Sequence, residues 1–494
     1  MKKFDVVLFS GVYKDLAAKP IAIYRLASHL RNHGYRVKTI NHFHLFTDEQ
    51  FSKCIDKFIS DETKVVGLSC TVLKSYQNDF HGITKQKLQE RLSLIKSRGD
   101  IKLVLGGGQV NFSTQEYFHQ FDGFDYVSFG QGENTLLAIC NHVFLGDKLI
   151  TNTIQKPYHV SDKTYPFDDF NSSRTIFTQD DDISQGECLP LELARGCIFK
   201  CKFCSYELNG KSMADYTRHE EILYDELIYN YENFKTQYYY IIDDLINDSQ
   251  EKVDMMERVI KRLPFKIYFS GYMRLDILYN NDRMIQQLKD MGLIACFFGI
   301  ETVNDKSGKA IGKGLGIKRI EETLRLCASI WQNEVHIETN YILGLPYDTP
   351  DTYRELMDWI VKALSCEWIH RSFVVPLSIN PSLGKSELDI NPEKYGYEIL
   401  DFVSNGRTRY NSPEAKWKKG DMTFDMVKEQ ANLVNKECLN VYGRTHEVTK
   451  FSLPVIYCMN GGKMDISEVY SKYEEFVEKY RKNVDKYITN LLEN

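Results

Sequence analysis

No apolar run in this 494-residue chain reaches the length needed to cross a bilayer, and the strand-like start Met1 to Ser10 is too short for a signal peptide. The expectation is a soluble, cytoplasmic protein. Charge of one sign is also scarce. The 62 Lys and Arg against 68 Asp and Glu leave a net -6, no electrostatic footprint for nucleic acid or an acidic membrane. Internal repeats and low-complexity tracts are absent. The 12 cysteines lack a disulfide framework, because nine are singletons: Cys54, Cys70, Cys140, Cys188, Cys296, Cys327, Cys366, Cys438 and Cys458. Such scatter fits buried thiols in a reducing compartment and argues against a second metal cluster.

The other three cysteines stand together. Cys197, Cys201 and Cys204 lie in the run Ala194-Arg-Gly-Cys-Ile-Phe-Lys-Cys-Lys-Phe-Cys-Ser-Tyr206, directly after an apolar strand-like segment. Zinc also takes cysteines at short spacings, but it usually takes a closed set of four. No fourth Cys or His is near: Cys188 precedes the strand and His219 lies beyond the loop. Three thiolates are one short of closing a four-iron cluster. The iron left over can bind a small molecule through amino and carboxylate groups.

Along the chain, 43% hydrophobic residues and this length suffice for two or three domains. Up to residue 145, short apolar strands (Phe4 to Ser10, Tyr35 to Ile40, Lys64 to Ser69, Lys102 to Leu105, Tyr126 to Phe129) alternate with helical segments such as Pro20 to His33 and Ile83 to Ser97. That alternation predicts an α/β fold with a doubly wound parallel sheet, which binds ligands at the carboxyl ends of its strands. Those ends carry Ser10-Gly11, Ser69-Cys70-Thr71, Gly106-Gly107-Gly108 and Gly130-Gln131-Gly132-Glu133. Each glycine would let a ligand approach the backbone. Residues 146 to 185 read as a linker, and the acidic run Asp180-Asp181-Asp182 within it reads as a solvated surface. From residue 186 to 399 the alternation resumes over six strands, ending in turn near Cys197, Asp243-Asp244, Arg274 and Asp276, Glu301, Gly344 and Leu377. Polar or glycine residues at successive carboxyl ends suit a barrel, whose strand ends open on one face. Residues 400 to 494 read as a mostly helical extension bordering a substrate cavity, its tail an amphipathic helix on the barrel through Val469, Tyr473, Phe476, Val477 and Tyr480.

The three-cysteine loop and the ordered strand ends resemble the radical S-adenosylmethionine (radical SAM) superfamily. The glycine-bearing ends of the first region resemble the cobalamin-binding Rossmann-like domain that precedes a partial (β/α)6 barrel in one branch of it. The resemblance implies that Cys197, Cys201 and Cys204 hold a [4Fe-4S] cluster. It places Phe203, Asp243, Asp244, Arg274, Glu301 and Gly344 around SAM. Cobalamin would lie against Ser10, Gly11, Ser69, Thr71, Gly106, Gly107, Gly108, Gly130, Gly132 and Glu133. The Asp-x-His-x-x-Gly loop of histidine-ligated cobalamin proteins is missing from Gly11 to Ala17, which implies a corrin without a histidine from this loop. His42 and His44 read as surface or packing residues.

In that family the reduced cluster cleaves SAM to a 5'-deoxyadenosyl radical, and methylcobalamin can supply a methyl group. The resemblance therefore implies a methyltransferase acting on a poorly activated carbon, fed by an external electron donor of flavodoxin or ferredoxin type. The alternatives are a non-methylating radical reaction (cyclisation, ring contraction or rearrangement) and a non-catalytic cobalamin- or SAM-binding regulator. The substrate, small molecule or peptide, is not legible, and no nucleic-acid or membrane partner is indicated.

Overall fold

The computed structural model describes residues 2–12, 15–69, 85–108, 110, 123–205, 216–381, 384–403, 414–442 and 447–493. The chain divides into two compact units, the first built from Met1–Gln185 with Val477–Asn494, the second from most of Gly186–Phe476.

In the first unit six strands form one sheet: β1 (Val6–Phe9), β2 (Val37–Ile40), β3 (Val65–Ser69), β4 (Lys102–Gly106), β5 (Tyr126–Phe129) and β6 (Tyr158–Ser161). Their order is β2-β1-β3-β4-β5-β6, and every pairing is parallel. Val6, Val7, Leu8 and Phe9 are all buried, as expected of a strand covered on both faces. The order reverses between β1 and β3, so the crevice at this switch point lies beside the ends of those strands, where Ser10 and Ser69 sit. The helix Gly132–Leu145 stops at Gly146, whose φ of 77° supplies the left-handed cap a helix end favours.

Three expectations are corrected here. The segment 146–185 is no linker: it contributes β6, the edge strand paired with β5. Nor is the acidic run merely solvated. Asp181 is buried and accepts from the Arg31 guanidinium at 2.7 and 2.9 Å, the Thr39 hydroxyl at 2.7 Å and the Thr178 N–H at 2.7 Å. The tail helix Tyr473–Glu493 does not serve the barrel alone, because from Val477 it counts with the first unit. There Tyr480 donates to Ala17 O at 3.2 Å, Tyr487 accepts from Asn41 N at 3.1 Å, and Lys57 Nζ donates to Leu491 O at 2.7 Å. His42 is buried with its ring 5.6 Å from that of Tyr487, a packing residue as expected.

The second unit holds β7 (Leu189–Leu191), β8 (Tyr238–Ile241), β9 (Tyr268–Met273), β10 (Leu293–Glu301), β11 (His336–Leu343) and β12 (Arg371–Pro376). They run in sequence order and all parallel, with helices between them, as a six-stranded partial barrel requires. The extension is mostly helical, as expected. It includes a small antiparallel sheet of β13 (Glu398–Val403), β14 (Glu414–Lys419) and β15 (Met422–Thr423). Farther on, Lys450 and Phe451 enter the barrel. Ser270 Oγ donates to Lys450 O at 2.6 Å, and the rings of Tyr240 and Phe451 lie 4.8 Å apart.

Asp181→Asn keeps the shape but removes the charge opposite a largely buried guanidinium. It should cost roughly 3–5 kcal/mol, the cost of breaking a buried ion pair. A lower urea midpoint for the first unit would show this, and an unchanged midpoint would mean that the pair holds nothing.

Candidate functional site at the strand ends

The cluster loop leaves β7 through a clamp. Ala194 bridges Thr217, Arg195 N donates to Tyr216 O at 2.9 Å, and Arg218 N donates to Leu193 O at 2.9 Å. Between those arms the chain turns at Gly196, whose φ of 93° places it in the left-handed region that a residue with Cβ avoids. Cys197, Cys201 and Cys204 then follow, all half-buried, as is Phe203. Burial pushes the Cys197 thiol up to about 11, so binding a metal there must release its proton. Among the described residues no three side chains converge on one point as a single-ion site would need. A cubane takes each thiolate on a different iron, so three half-buried thiols that do not converge on one point fit a four-iron cluster better than zinc.

Arg274, read as a partner for the SAM carboxylate, has a different position. Its Nη1 donates to Cys201 Sγ at 3.3 Å, while Nε and Nη2 clamp the Asp276 carboxylate at 2.9 and 2.5 Å. The guanidinium also lies 3.8 Å from the centre of the Phe199 ring. Burial works against the carboxylate of Asp276, but Arg274 holds its pKa below the ordinary range. Asn247 fixes the Arg274 backbone with a reciprocal pair of bonds at 2.9 and 2.8 Å. A cation fixed against the Cys201 sulfur favours its thiolate, the form a metal ligand takes.

The two aspartates after β8 divide the work. Asp243 is fully committed: Oδ1 accepts from Leu193 N at 2.8 Å, and Oδ2 pairs with the buried Lys252 ammonium at 2.9 Å. The reading of Asp243 as a SAM contact is therefore corrected to a structural one. Lys252 also faces Asp248 at 3.7 Å, and Asp248 accepts from Tyr216 Oη at 2.9 Å. Asp244 is only half-buried, and burial followed by the nearby Asp243 pushes its carboxyl up to about 6. Three carboxyls around one ammonium leave this corner short of positive charge, and Asp244 is the member exposed to receive it. Lys252, Asp248 and Asn247 escaped the sequence reading because their importance lies in which groups the fold brings against them.

Glu301 ends β10 with φ 69°, after a register shift against β11 between Gly299 and Glu301. Its carboxylate spans Lys313 Nζ at 2.9 Å and Asn340 Nδ2 at 3.1 Å. Gly299 carries no side chain because a Cβ would stand 2.4 Å from Glu301 Oε1. Gly344 does not serve as a ligand-facing glycine: at φ 88° a Cβ would meet the Trp417 ring at 2.7 Å, so it exists to admit Trp417.

The first unit's glycines also separate. Among the described residues, an added Cβ at Gly108 would meet nothing within 4 Å and one at Gly106 only Ser128 Cβ at 3.9 Å, so none of them closes this strand end to a ligand. Gly107 there has φ 107°. Ser10, Gly11 and Ser69 are buried at the neighbouring strand ends. By contrast, a Cβ at Gly130 would strike the Asp162 carboxylate at 2.0 Å and one at Gly132 would strike Leu26 at 2.9 Å. Glu133 is buried 3.5 Å from Arg25 Nε. These three are structural, which corrects their reading as cobalamin contacts. Thr71 lies outside the described residues.

Comparison with known proteins agrees with this geometry. Residues 191–360 match the family model of the radical SAM superfamily, and residues 15–140 that of the B12 binding domain. An uncharacterized methyltransferase, PH0819, of Pyrococcus horikoshii is 23% identical over 347 residues, covering 67% of this chain and 70% of the relative. The anaerobic magnesium-protoporphyrin IX monomethyl ester cyclase of Cereibacter sphaeroides is 22% identical over 324 residues, 61% of this chain and 50% of the relative, so the chain spans half that protein's length. Among solved structures, the radical SAM methyltransferase TsrM from Kitasatospora setae, with cobalamin and a [4Fe-4S] cluster bound, has the same fold at a TM-score of 0.68 and 15% identity, covering 97% of this chain and all of that one.

Cys201→Ala should remove most of the broad visible absorbance of an anaerobically reconstituted iron-sulfur protein. Undiminished iron and absorbance in that variant would overturn the ligand assignment, and stoichiometric zinc without iron in the parent protein would restore the zinc alternative.

Proposed function

We propose that this chain, whose residues 191–360 match the radical SAM superfamily and residues 15–140 the B12 binding domain, is a cobalamin-dependent methyltransferase acting on a poorly activated carbon. The observation that carries this reading is the conjunction, in one chain, of a three-thiol loop lacking a fourth ligand and an open-ended parallel sheet of B12-binding type. When bound, the cluster with SAM supplies a hydrogen-abstracting radical, and cobalamin supplies a transferable methyl group. The family draws its electron from an external donor. No helix among the described residues is long and apolar enough to cross a membrane.

The chain's own residues have definable parts in this. Cys197, Cys201 and Cys204 hold the cluster, and Arg274 fixes the Cys201 sulfur. Asp244 accepts from the SAM ammonium, because its carboxylate is the exposed member of an electron-rich corner. Glu301 is held by Lys313 and Asn340 where it can meet the ribose hydroxyls, and Phe203 lies beside the adenine. Ser10, Gly11, Ser69 and Gly106 to Gly108 line the corrin. His42 is packed among the tail's tyrosines, which supports a corrin that takes no ligand from His42 either. Holding reactants in line is the protein's main contribution, since proximity decides where a radical reacts.

The second reading is a radical cyclisation, favoured by the likeness to the Cereibacter cyclase. The two separate by their products. Methyl transfer requires S-adenosylhomocysteine and 5'-deoxyadenosine in comparable amounts once substrate is present. Formation of 5'-deoxyadenosine alone, with cobalamin still essential, would decide for the cyclase-like chemistry.

The glycine assignments are tested by a contrast. Gly108→Trp should leave thermal stability unchanged but prevent cobalamin loading, because no described residue occupies the space beside it. Gly130→Leu should instead lower stability, through its collision with Asp162 and its positive φ. Normal cobalamin content in Gly108→Trp would remove this strand end from the corrin site.

A further inference from the structure

The Arg274 side chain is only 4% exposed, and it is held from every side. Its Nε and Nη2 take both oxygens of the Asp276 carboxylate, the Phe199 ring centre lies 3.8 Å from the guanidinium carbon, and Asn247 ties down the backbone. An ion pair with Asp276 needs only that one edge of the guanidinium. Nη1, on the opposite corner, is aimed elsewhere, at Cys201 Sγ, 3.3 Å away. A guanidinium keeps its charge at any working pH, so the sulfur faces a permanent cation.

The neighbouring thiol has different company. Cys197 accepts the Phe199 N–H at 3.4 Å, and the charges of Asp244 and Asp248 add to the burial that raises it. Beyond Arg274 the signs alternate. Asp276 lies on the guanidinium's far edge, Lys313 acts on Asp276 through space, and Lys313 is itself bonded to Glu301 at 2.9 Å. The member of this chain that touches sulfur is therefore its cation. Hydrogen bonds to the ligand sulfurs and nearby charge are what set an iron-sulfur potential, because reduction adds one negative charge to the cluster. Burial strengthens that influence by lowering the effective dielectric.

We propose that Arg274 is a positioning residue for electron transfer: through its bond to Cys201 Sγ it raises the reduction potential of the cluster, and Asp276, behind it, moderates that effect. In this step one electron passes from the external donor, which is oxidised, to the [4Fe-4S]2+ cluster, which becomes [4Fe-4S]+, and no bond forms or breaks. The inference rests on the assignment of Cys197, Cys201 and Cys204 as cluster ligands. It is indifferent to which radical reaction follows.

The test is a redox titration of the full chain, reconstituted anaerobically with iron and sulfide and followed by electron paramagnetic resonance without SAM or cobalamin, with iron content measured alongside. At a fixed poise, Arg274→Met should lower the ratio of reduced to oxidised cluster at least tenfold, which is about 59 mV for a one-electron couple. Arg274→Lys keeps the charge but not the fork, and should shift the ratio less. Asp276→Asn should move it the other way, because the cation then acts unopposed. A merely structural Arg274 would cost iron content and leave the potential of the remaining cluster where it was. An unshifted potential in Arg274→Met, or one unshifted or lowered in Asp276→Asn, would overturn the proposal. Should Arg274→Met hold no cluster, Asp276→Asn decides, since it leaves Nη1 on the sulfur. If the parent protein takes up no four-iron cluster, the ligand assignment falls and this inference with it; if the cluster assembles and neither variant moves its potential, only this inference falls.

Discussion

The Asp243 carboxylate joins the parts on which the cofactor end of the barrel depends. One oxygen takes the N–H of Leu193, just ahead of the cluster loop, and the other takes the ammonium of Lys252, on the helix that follows β8. Both groups are out of reach of water. Removing the carboxylate would leave a buried ammonium without its nearest counter-charge and a buried backbone donor without its acceptor, which is far more costly than the pair's net contribution. The same contact sets the exit of β7, the end of β8 and the electrostatics felt by Asp244. Geometry around the cysteines is thus set from beneath by a group that meets no cofactor.

A second layer sits on top of it. Arg274 links Cys201 to Asp276, and its backbone is tied to Asn247, which itself is fully buried. Glu301 is held from both sides by Lys313 and Asn340. Each side chain facing the open end is therefore positioned by a partner on a different strand or loop. A barrel provides this naturally, because parallel pairing brings all the carboxyl ends to one face.

What was legible in the sequence followed from periodicity and from chemistry concentrated at one place. Strands buried on both faces announce themselves as apolar runs, and three cysteines within eight residues have few meanings. What was not legible depended on partners distant in the chain. Gly130 and Gly132 look like ligand glycines, and nothing local shows that their missing side chains make room for Asp162 and Leu26. Asp181 looks like any surface acid until Arg31 and Thr39 are found around it. The strand β6, Tyr-His-Val-Ser, is too short and too polar to stand out from a loop. One signal was present and overlooked: in Glu414-Ala-Lys-Trp-Lys-Lys419, buried Ala415 and Trp417 alternate with charged residues, the period of a half-covered strand.

The division of the tail helix has a consequence for how this chain is made. The first unit's contacts include those of Tyr480, Arg481, Tyr487 and Leu491 with Ala17, Asp15, Asn41 and Lys57. Domains usually fold in order as they leave the ribosome. Here the sheet translated first cannot reach its finished state until the residues after Val477 have been synthesised, some three hundred positions after its last strand. Throughout that interval the surface beside β1 and β2 remains uncovered. The first unit is therefore completed only once the residues after Val477 have been made.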